Sequence, residues 1–239
     1  MAAIAPPAFA ADLPVAGPPQ APAYVPAAPP VYDWGGLYFG VNAGGAWFDQ
    51  GNTTNTYTGP FPTATGVSIS NTGFAGGGQI GFNFQAGSWV FGLEGDADYM
   101  SNSTTFSGTD PAGGAETHQY KLDLLSTVRG RLGFAVDRTL FYGTGGLAMA
   151  NYSVERTQVT AGLASAGTPE TESAMRIGWV AGAGIEYAFT DYLTARAEYL
   201  IAGLESDSVT FPMAGVTQTA PTAYVNMVRA GLNLKIGGF

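Results

Sequence analysis

From Trp89 to Tyr99 the chain alternates strictly. Trp89, Phe91, Leu93, Gly95, Ala97 and Tyr99 fall on one side, and Val90, Gly92, Glu94, Asp96 and Asp98 on the other. Period two is a strand signal, because successive side chains leave opposite faces of a pleated backbone. The same alternation recurs along the sequence. The first predicted strand covers about Gly35 to Trp47, with Leu37, Phe39, Val41 and Trp47 opposite Tyr38 and Asn42. The second, about Thr72 to Gln85, sets Phe74, Ile80, Phe82 and Phe84 against Gln79, Asn83 and Gln85. Trp89 to Tyr99 is the third. In the fourth, Tyr120 to Ala135, the phase places Lys121, Asp123, Arg129 and Arg131 on one face and Leu122, Leu124, Val128, Leu132 and Phe134 on the other. The fifth, about Thr139 to Tyr152, is too rich in glycine to reveal its phase.

The sixth predicted strand, about Ala174 to Phe189, sets Met175, Ile177, Trp179, Ile185, Tyr187 and Phe189 against Arg176 and Glu186. The seventh, about Tyr192 to Leu204, sets Leu193, Ala195, Ala197, Tyr199 and Ile201 against Arg196 and Glu198. The eighth sets Val228, Ala230, Leu232, Leu234 and Ile236 against Arg229, Asn233 and Lys235. Connections alternate in length. Phe48–Asn71, Ser101–Gln119, Ser153–Ser173 and Glu205–Thr222 are long; Ala86–Ser88, Asp137–Arg138 and Thr190–Asp191 are short. Pro60, Pro62, Pro111, Pro169, Pro212 and Pro221 all fall in the long connections, as expected where a ladder position would lose its hydrogen bond to proline.

Composition decides what this ribbon encloses. Charged residues make up 11% of the 239 residues, against roughly 25% in soluble domains. No apolar run reaches the roughly 18 to 20 residues of a membrane-spanning helix. An open sheet edge cannot stand in hydrocarbon, so alternating strands of low charge point to a closed barrel in a membrane. The expected fold is all-β: an eight-stranded antiparallel transmembrane β-barrel with short periplasmic turns and four longer extracellular loops. Both termini are then periplasmic, as an even strand number requires. The net charge of −9 argues against nucleic acid as a partner, and the absence of cysteine removes disulfides and thiolate metal sites.

A soluble barrel would show the same alternation with its faces reversed. Two features favour the membrane. Aromatics collect near strand ends: Trp47, Tyr99, Tyr120 and Tyr199 toward the long connections, Phe84, Trp89, Phe134 and Phe189 toward the short ones. They form two expected interfacial girdles. On the polar face, Glu94, Asp96, Asp98, Asp123, Glu186 and Glu198 nearly balance Lys121, Arg129, Arg131, Arg176, Arg196, Arg229 and Lys235. Such balance is expected where water is scarce, since an unpaired ion there costs several kcal/mol. These residues form the expected lumenal charge network.

Ahead of the barrel, Ala8-Phe9-Ala10 reads as an A-x-A signal cleavage site with Ala11 as the mature start. Residues 1–10 are expected to be a signal-peptide remnant, 11–31 a Pro/Ala-rich periplasmic linker and 32–239 the barrel.

Six blocks carry a resemblance: Trp34-Gly-Gly-Leu-Tyr-Phe-Gly, Gly78-Gln-Ile-Gly-Phe-Asn-Phe-Gln, Phe91-Gly-Leu-Glu-Gly-Asp, Val128-Arg-Gly-Arg-Leu-Gly-Phe, Gly178-Trp-Val-Ala-Gly-Ala-Gly-Ile-Glu and Val228-Arg-Ala-Gly-Leu-Asn. In this order, over about Tyr32 to Ile236, they resemble the small major outer-membrane proteins of alphaproteobacteria, the RopB type, within the OmpA-like transmembrane barrels. The resemblance implies an eight-stranded barrel abundant in the bacterial outer membrane and a role in envelope integrity. It also implies relatives that bind haemin or meet host surfaces. Expected partners are outer-membrane lipids, lipopolysaccharide and the outer-membrane insertion machinery; self-association is compatible with the pattern. Such barrels usually end on an outward aromatic. Here the register ends at Ile236, and Gly237-Gly238-Phe239 continues out of phase.

Candidate chemistry is thin. Gly143-Thr-Gly-Gly-Leu-Ala148 mimics a dinucleotide glycine pattern but lacks the strand-to-helix context that motif needs. Asp96 and Asp98 have a simpler partner in the arginines than in a cation. His118, the one histidine, shares its segment with Ser101, Ser103, Ser107, Asp110 and Glu116 and reads as a solvated loop residue rather than part of a triad. No catalytic residue, cofactor or metal site is expected. The leading functional expectation is a non-enzymatic barrel supporting envelope structure. A small-solute porin and a surface receptor or adhesin built from the outer loops are the alternatives.

Overall fold

Alternating sequence becomes antiparallel ladder throughout the computed structural model, which describes residues 32–50, 54–57, 64–65, 69–109, 115–158, 169–211 and 216–236. The strands are β1 (Gly36–Gln50), β2 (Thr54–Tyr57), β3 (Ala64–Thr65), β4 (Ile69–Ala86), β5 (Trp89–Thr109), β6 (Ala115–Val136), β7 (Thr139–Gln158), β8 (Glu170–Ala188), β9 (Leu193–Leu204), β10 (Asp207–Phe211), β11 (Val216–Ala220) and β12 (Ala223–Ile236). Eight of them close into a barrel in the order β1-β12-β9-β8-β7-β6-β5-β4. The closing seam is antiparallel, from Leu37 opposite Ile236 to Gln50 opposite Ala223. Closure leaves the barrel no open edge, the condition for a sheet in lipid.

Short connections gather at one mouth. Gly87 has φ 62° and Asp137 has φ 49°, left-handed values that suit two-residue hairpin turns. In the third turn, the Leu193 amide donates to Thr190 Oγ1 at 2.9 Å, and the Phe189 amide donates to the Leu193 carbonyl at 3.0 Å.

Apolar side chains cover the outer wall. Leu93 is 67% exposed and Ile80 63%, and Phe39, Phe91, Val128, Leu147, Ile177 and Leu232 are also exposed. The strand that lacked a readable phase, β7, puts Phe141 and Leu147 outward and Leu140, Tyr142, Ala148 and Ala150 inward. The wall is what a hydrocarbon solvent selects: a contiguous apolar band around a sheet whose polar groups turn to the axis.

Two expectations about the strands need correction. The first concerns phase. Between Leu122 and Leu124 the ladder of β6 with β7 shifts register. A bulge gives one strand an extra residue, so alternation flips beyond it. Asp123 and Leu124 both point outward, and the phase above them is inverted. Lys121 and Asp123 therefore lie exposed on the outer wall, and Leu122 is buried inside, the reverse of the expected faces. The second concerns length. Ser101–Gln119 was expected to be a long connection, yet β5 and β6 continue through most of it, pairing Ser103 with Lys121 and Ser107 with Thr117. β7 and β8 likewise extend to Arg156 opposite Glu170.

The long-loop end also carries a second sheet, β10-β11-β2-β3. Ser208 and Thr219 hydroxyls lie 3.0 Å apart and Thr210 and Thr217 hydroxyls 3.2 Å apart. Val209 and Phe211 turn the other way and are buried with Val154.

Candidate functional site

The interior of the barrel is stacked in three storeys. At the short-turn mouth is a cluster of Tyr32, Trp34, Val90, Ala135, Leu140, Tyr142 and Ala188. Above it lies an ionic layer. Above that, toward the long-loop end, is an apolar layer that includes Met100, Leu122, Leu125, Val180, Leu200, Leu204, Val225 and Met227.

The ionic layer holds four guanidiniums and five carboxylates, none more than 6% exposed: Arg129, Arg131, Arg196 and Arg229 with Glu94, Asp96, Asp98, Glu186 and Glu198. Arg129 is the hub. Its Nη1 donates to Glu198 Oε1 at 2.9 Å, and its Nη2 donates to Asp96 Oδ2 at 2.7 Å and to Glu94. Arg196 donates to the other oxygen of Glu94 at 2.5 Å. Arg229 donates through Nε to Glu198 Oε2 at 3.0 Å and through Nη1 to Asp98, and its Nη2 lies 3.2 Å from Asp96 Oδ2. Arg131 forms a more separate pair with Glu186 and stacks over the Tyr142 ring, 3.6 Å from its centroid.

Neutral groups add donors to three of the acids. Tyr38 donates to Glu94 at 2.6 Å, Thr127 to Asp96 at 2.8 Å, and Asn233 to Glu186 at 2.8 Å, with Thr194 also donating to Glu186. Asn42 donates to Gln79, and Gln79 to Asn233, at 2.9 and 2.8 Å. A buried ion costs several kcal/mol unless well paired. Here each carboxylate accepts from at least one arginine.

Local sequence explains why such large side chains fit. Arg129 stands opposite Gly146, Arg229 opposite Gly44, and Tyr142 opposite Gly184 on the adjoining strands. A Cβ built on Gly184 would come within 2.5 Å of Tyr142 Oη. The glycines give each long side chain a floor to lie on.

The expected site residues divide accordingly. Glu94, Asp96, Asp98, Arg129, Arg131, Glu186, Arg196, Glu198 and Arg229 meet in the ionic layer. Lys121 and Asp123 do not, because of the bulge. Arg176 is buried one storey higher, 4.6 Å from the Tyr152 ring centroid, with Nη1 3.5 Å from the Pro221 carbonyl. Lys235 sits at the short-turn mouth and donates to the Asp33 carbonyl. Of the girdle aromatics, Trp47, Tyr99 and Tyr199 are exposed on the wall toward the long-loop end, and Phe84, Trp89, Phe134 and Phe189 toward the short-turn end. Trp47 faces Tyr199 at 6.3 Å, and Trp89 meets Phe134 edge-on at 5.4 Å. The Tyr120 side chain, the Ala10–Ala11 cleavage position, the 11–31 linker and Gly237–Phe239 lie outside the described residues.

His118 needs correction too. It is 4% exposed rather than solvated, because β6 runs through its segment and turns it inward. It stands opposite Arg156, which stands opposite Glu170, both buried. The sequence reading also missed the apolar storey. Its signal was Val225 and Met227, in phase with Arg229, and Leu200 and Leu204, in phase with Glu198. Among the described residues, no group of His, Asp or Glu is arranged to hold a metal ion.

Comparison with known proteins bears on this geometry. The model of the outer membrane protein β-barrel domain matches residues 16–235. The chain is 32% identical over 234 residues to the 31 kDa outer-membrane immunogenic protein of Brucella melitensis, covering 95% of this chain and 93% of that one. It is 30% identical over 177 residues to the 22 kDa outer membrane protein of Rhizobium leguminosarum, covering 74% and 67%. Among solved structures it is similar to Ail, the attachment invasion locus protein of Yersinia pestis, with a TM-score of 0.36, 15% identity and coverage of 83% and 99%. A closed barrel with an apolar wall and a family model spanning nearly all of it lead to one conclusion: this chain belongs to the outer-membrane β-barrel protein family.

Proposed function

We propose that the protein is a non-enzymatic, non-conducting barrel that supports the structure of the outer membrane. The observation that carries this reading is the filled lumen: an aromatic cluster, an ionic layer and an apolar layer stacked along one axis. Eight strands leave an interior just wide enough for side chains to fill. An ion crossing it would have to displace paired arginines and then traverse Leu125, Leu200 and Met227. The register of His118 beside Arg156 supports a structural role for the histidine.

In this reading the short-turn mouth and both termini are periplasmic, and the long-loop end stands outside the cell. The outer wall supports that orientation. Below the bulge, β6 shows Leu124, Val128 and Leu132; above it, Lys121 is exposed beside Ser103 and Ser153. A cavity of about 450 Å³ there is lined by Asp123, Asn151, Ser153 and Ser173 together with Tyr152, Ala174 and Met175. Its hydroxyls and amide suit the sugars of lipopolysaccharide, while the Asp123 carboxylate does not suit its phosphates. Planar-bilayer recording of the purified barrel tests the main claim. Baseline current is expected, and steady openings of general-porin size would replace this reading with the channel.

A receptor role for the long-loop end is the second reading. The exposed hydroxyl rows of β10 and β11 favour it, as does the word immunogenic in the name of the Brucella relative, which fits surface display. Removing residues 207–220 should leave heat-modifiable gel mobility unchanged and abolish ligand binding if this second reading holds.

A further inference from the structure

The residues just ahead of β1 do not run away from the barrel; they turn into its mouth. Tyr32 is 7% exposed and Trp34 3%, and their rings meet edge-on at 4.8 Å. They pack in the cluster formed by Val90, Ala135, Leu140, Tyr142 and Ala188, contributed by β5, β6, β7 and β8. Polar contacts fasten the segment around the rim. The Trp34 amide donates to Gln85 Oε1 at 2.6 Å, and the Lys235 ammonium donates to the Asp33 carbonyl. The Arg138 guanidinium and the Lys235 ammonium lie over the Tyr32 ring, 5.6 and 5.2 Å from its centroid. One short stretch thus touches the end of β4, the turn between β6 and β7, and the last strand.

We propose that Tyr32–Trp34 is a hinged stopper, a second seal that closes the short-turn mouth independently of the ionic layer above it. Three features support a separable device rather than ordinary core packing. First, the segment belongs to no ladder, so it can leave without breaking a hydrogen bond between strands; such parts open locally at a free energy well below that of global unfolding. Second, its junction with β1 is Gly35-Gly36, and Gly36 holds φ 118°, a conformation that glycine reaches readily and other residues do not. Third, on the barrel's side the grip is made by side chains, so release needs no rearrangement of strands. When the stopper swings out about Gly36, Val90 and Leu140, both 0% exposed, become the floor of an open vestibule under Arg131.

The chain contains no cysteine, so one thiol can report the opening. Val90→Cys places it beneath the stopper. In detergent-folded protein, a maleimide should label this thiol slowly. Adding Tyr32→Gly and Trp34→Gly should raise the labelling rate by about tenfold or more, since protection of a buried group is set by its local opening equilibrium. The unheated protein should keep its fast, folded gel mobility. Equal labelling rates in the two folded proteins would overturn the proposal. If the double substitution prevents folding, Gln85→Ala removes only the acceptor of the Trp34 amide; a faster rate supports the stopper, and an unchanged rate overturns it. Conductance separates this claim from the functional reading. The stopperless barrel should still carry no current, and a current appearing there would count against the ionic seal, not against the stopper.

Discussion

The lower and upper halves of the lumen solve the same packing problem with opposite chemistry. In the lower half, four arginines and five carboxylates interlock, and Arg129 alone joins Glu94, Asp96 and Glu198. In the upper half, Leu125, Leu200, Met100 and Met227 pack as they would in a soluble core. Both are buried, yet they should fail differently. Removing one member of the ionic layer strands the others as buried, uncompensated charges. Removing one apolar side chain leaves only a cavity. The difference teaches that burial by itself does not set the cost of a substitution; what the neighbours are left with does.

The sharpest break of the comparison is Arg129→Ala. It should destabilise the folded barrel by about 3–5 kcal/mol, the usual cost of breaking a buried ion pair, and Arg131→Ala should approach that value. Urea unfolding followed by tryptophan fluorescence in detergent measures both. Leu200→Ala in the upper half should cost about 2–4 kcal/mol, the transfer and cavity terms of a buried leucine. The same titration reads it, and a loss as large as that of Arg129→Ala would erase the contrast.

Glycines sharpen the comparison between inside and outside. A Cβ on the inward Gly146 would lie 2.0 Å from the Val128 carbonyl oxygen and 2.7 Å from Arg129 Cα, whereas one on the outward Gly143 meets only the Gly182 carbonyl oxygen at 3.9 Å. Gly146→Ala should therefore destabilise by about 1–3 kcal/mol through overpacking. Gly143→Ala should stabilise by up to about 0.5–1 kcal/mol, because a strand glycine loses more chain entropy on folding than alanine. Opposite signs from one substitution type would tie the effect to the face.

The smallest expected effect concerns the mouth. Burial, with Glu186 next in weight, pushes the Tyr32 hydroxyl up from its usual 10.0 to about 12. The folded state holds this proton more tightly than the released segment does. Below pH 10 both forms are protonated and the contact is fully present; it is lost as pH rises from about 10 to about 12. Phenolate absorbance should show one fewer late-titrating tyrosine in Tyr32→Phe than in the wild type.

The outward faces of six of the eight barrel strands were legible because lipid imposes a strict demand, that alternate residues be apolar; glycine hid the phase of the fifth strand. The central acids and arginines were legible for the same reason, as polar residues in phase within apolar ribbons. The fourth strand failed at Asp123–Leu124, since a bulge adds one residue and leaves no mark in composition. Upper parts of β5 and β6 read as a long connection in the sequence because beyond the bilayer no face has to be greasy, so Ser101–Thr109 shows no alternation. Leu125 and Leu200 were passed over because inward apolar residues blur the very contrast used to find strands. Tyr32 and Trp34 were invisible as a stopper because they belong to no period at all.

On the proposed function, the ionic layer excludes water and so seals the lumen. A double-mutant cycle on Arg131 and Glu186, using Arg131→Met and Glu186→Gln in detergent-folded protein, tests it most directly. A coupling energy of at least about 2 kcal/mol is predicted, in the range of close, desolvated charge pairs. A coupling below about 1 kcal/mol, the value of solvent-exposed pairs, would mean a water-filled lumen and contradict the account.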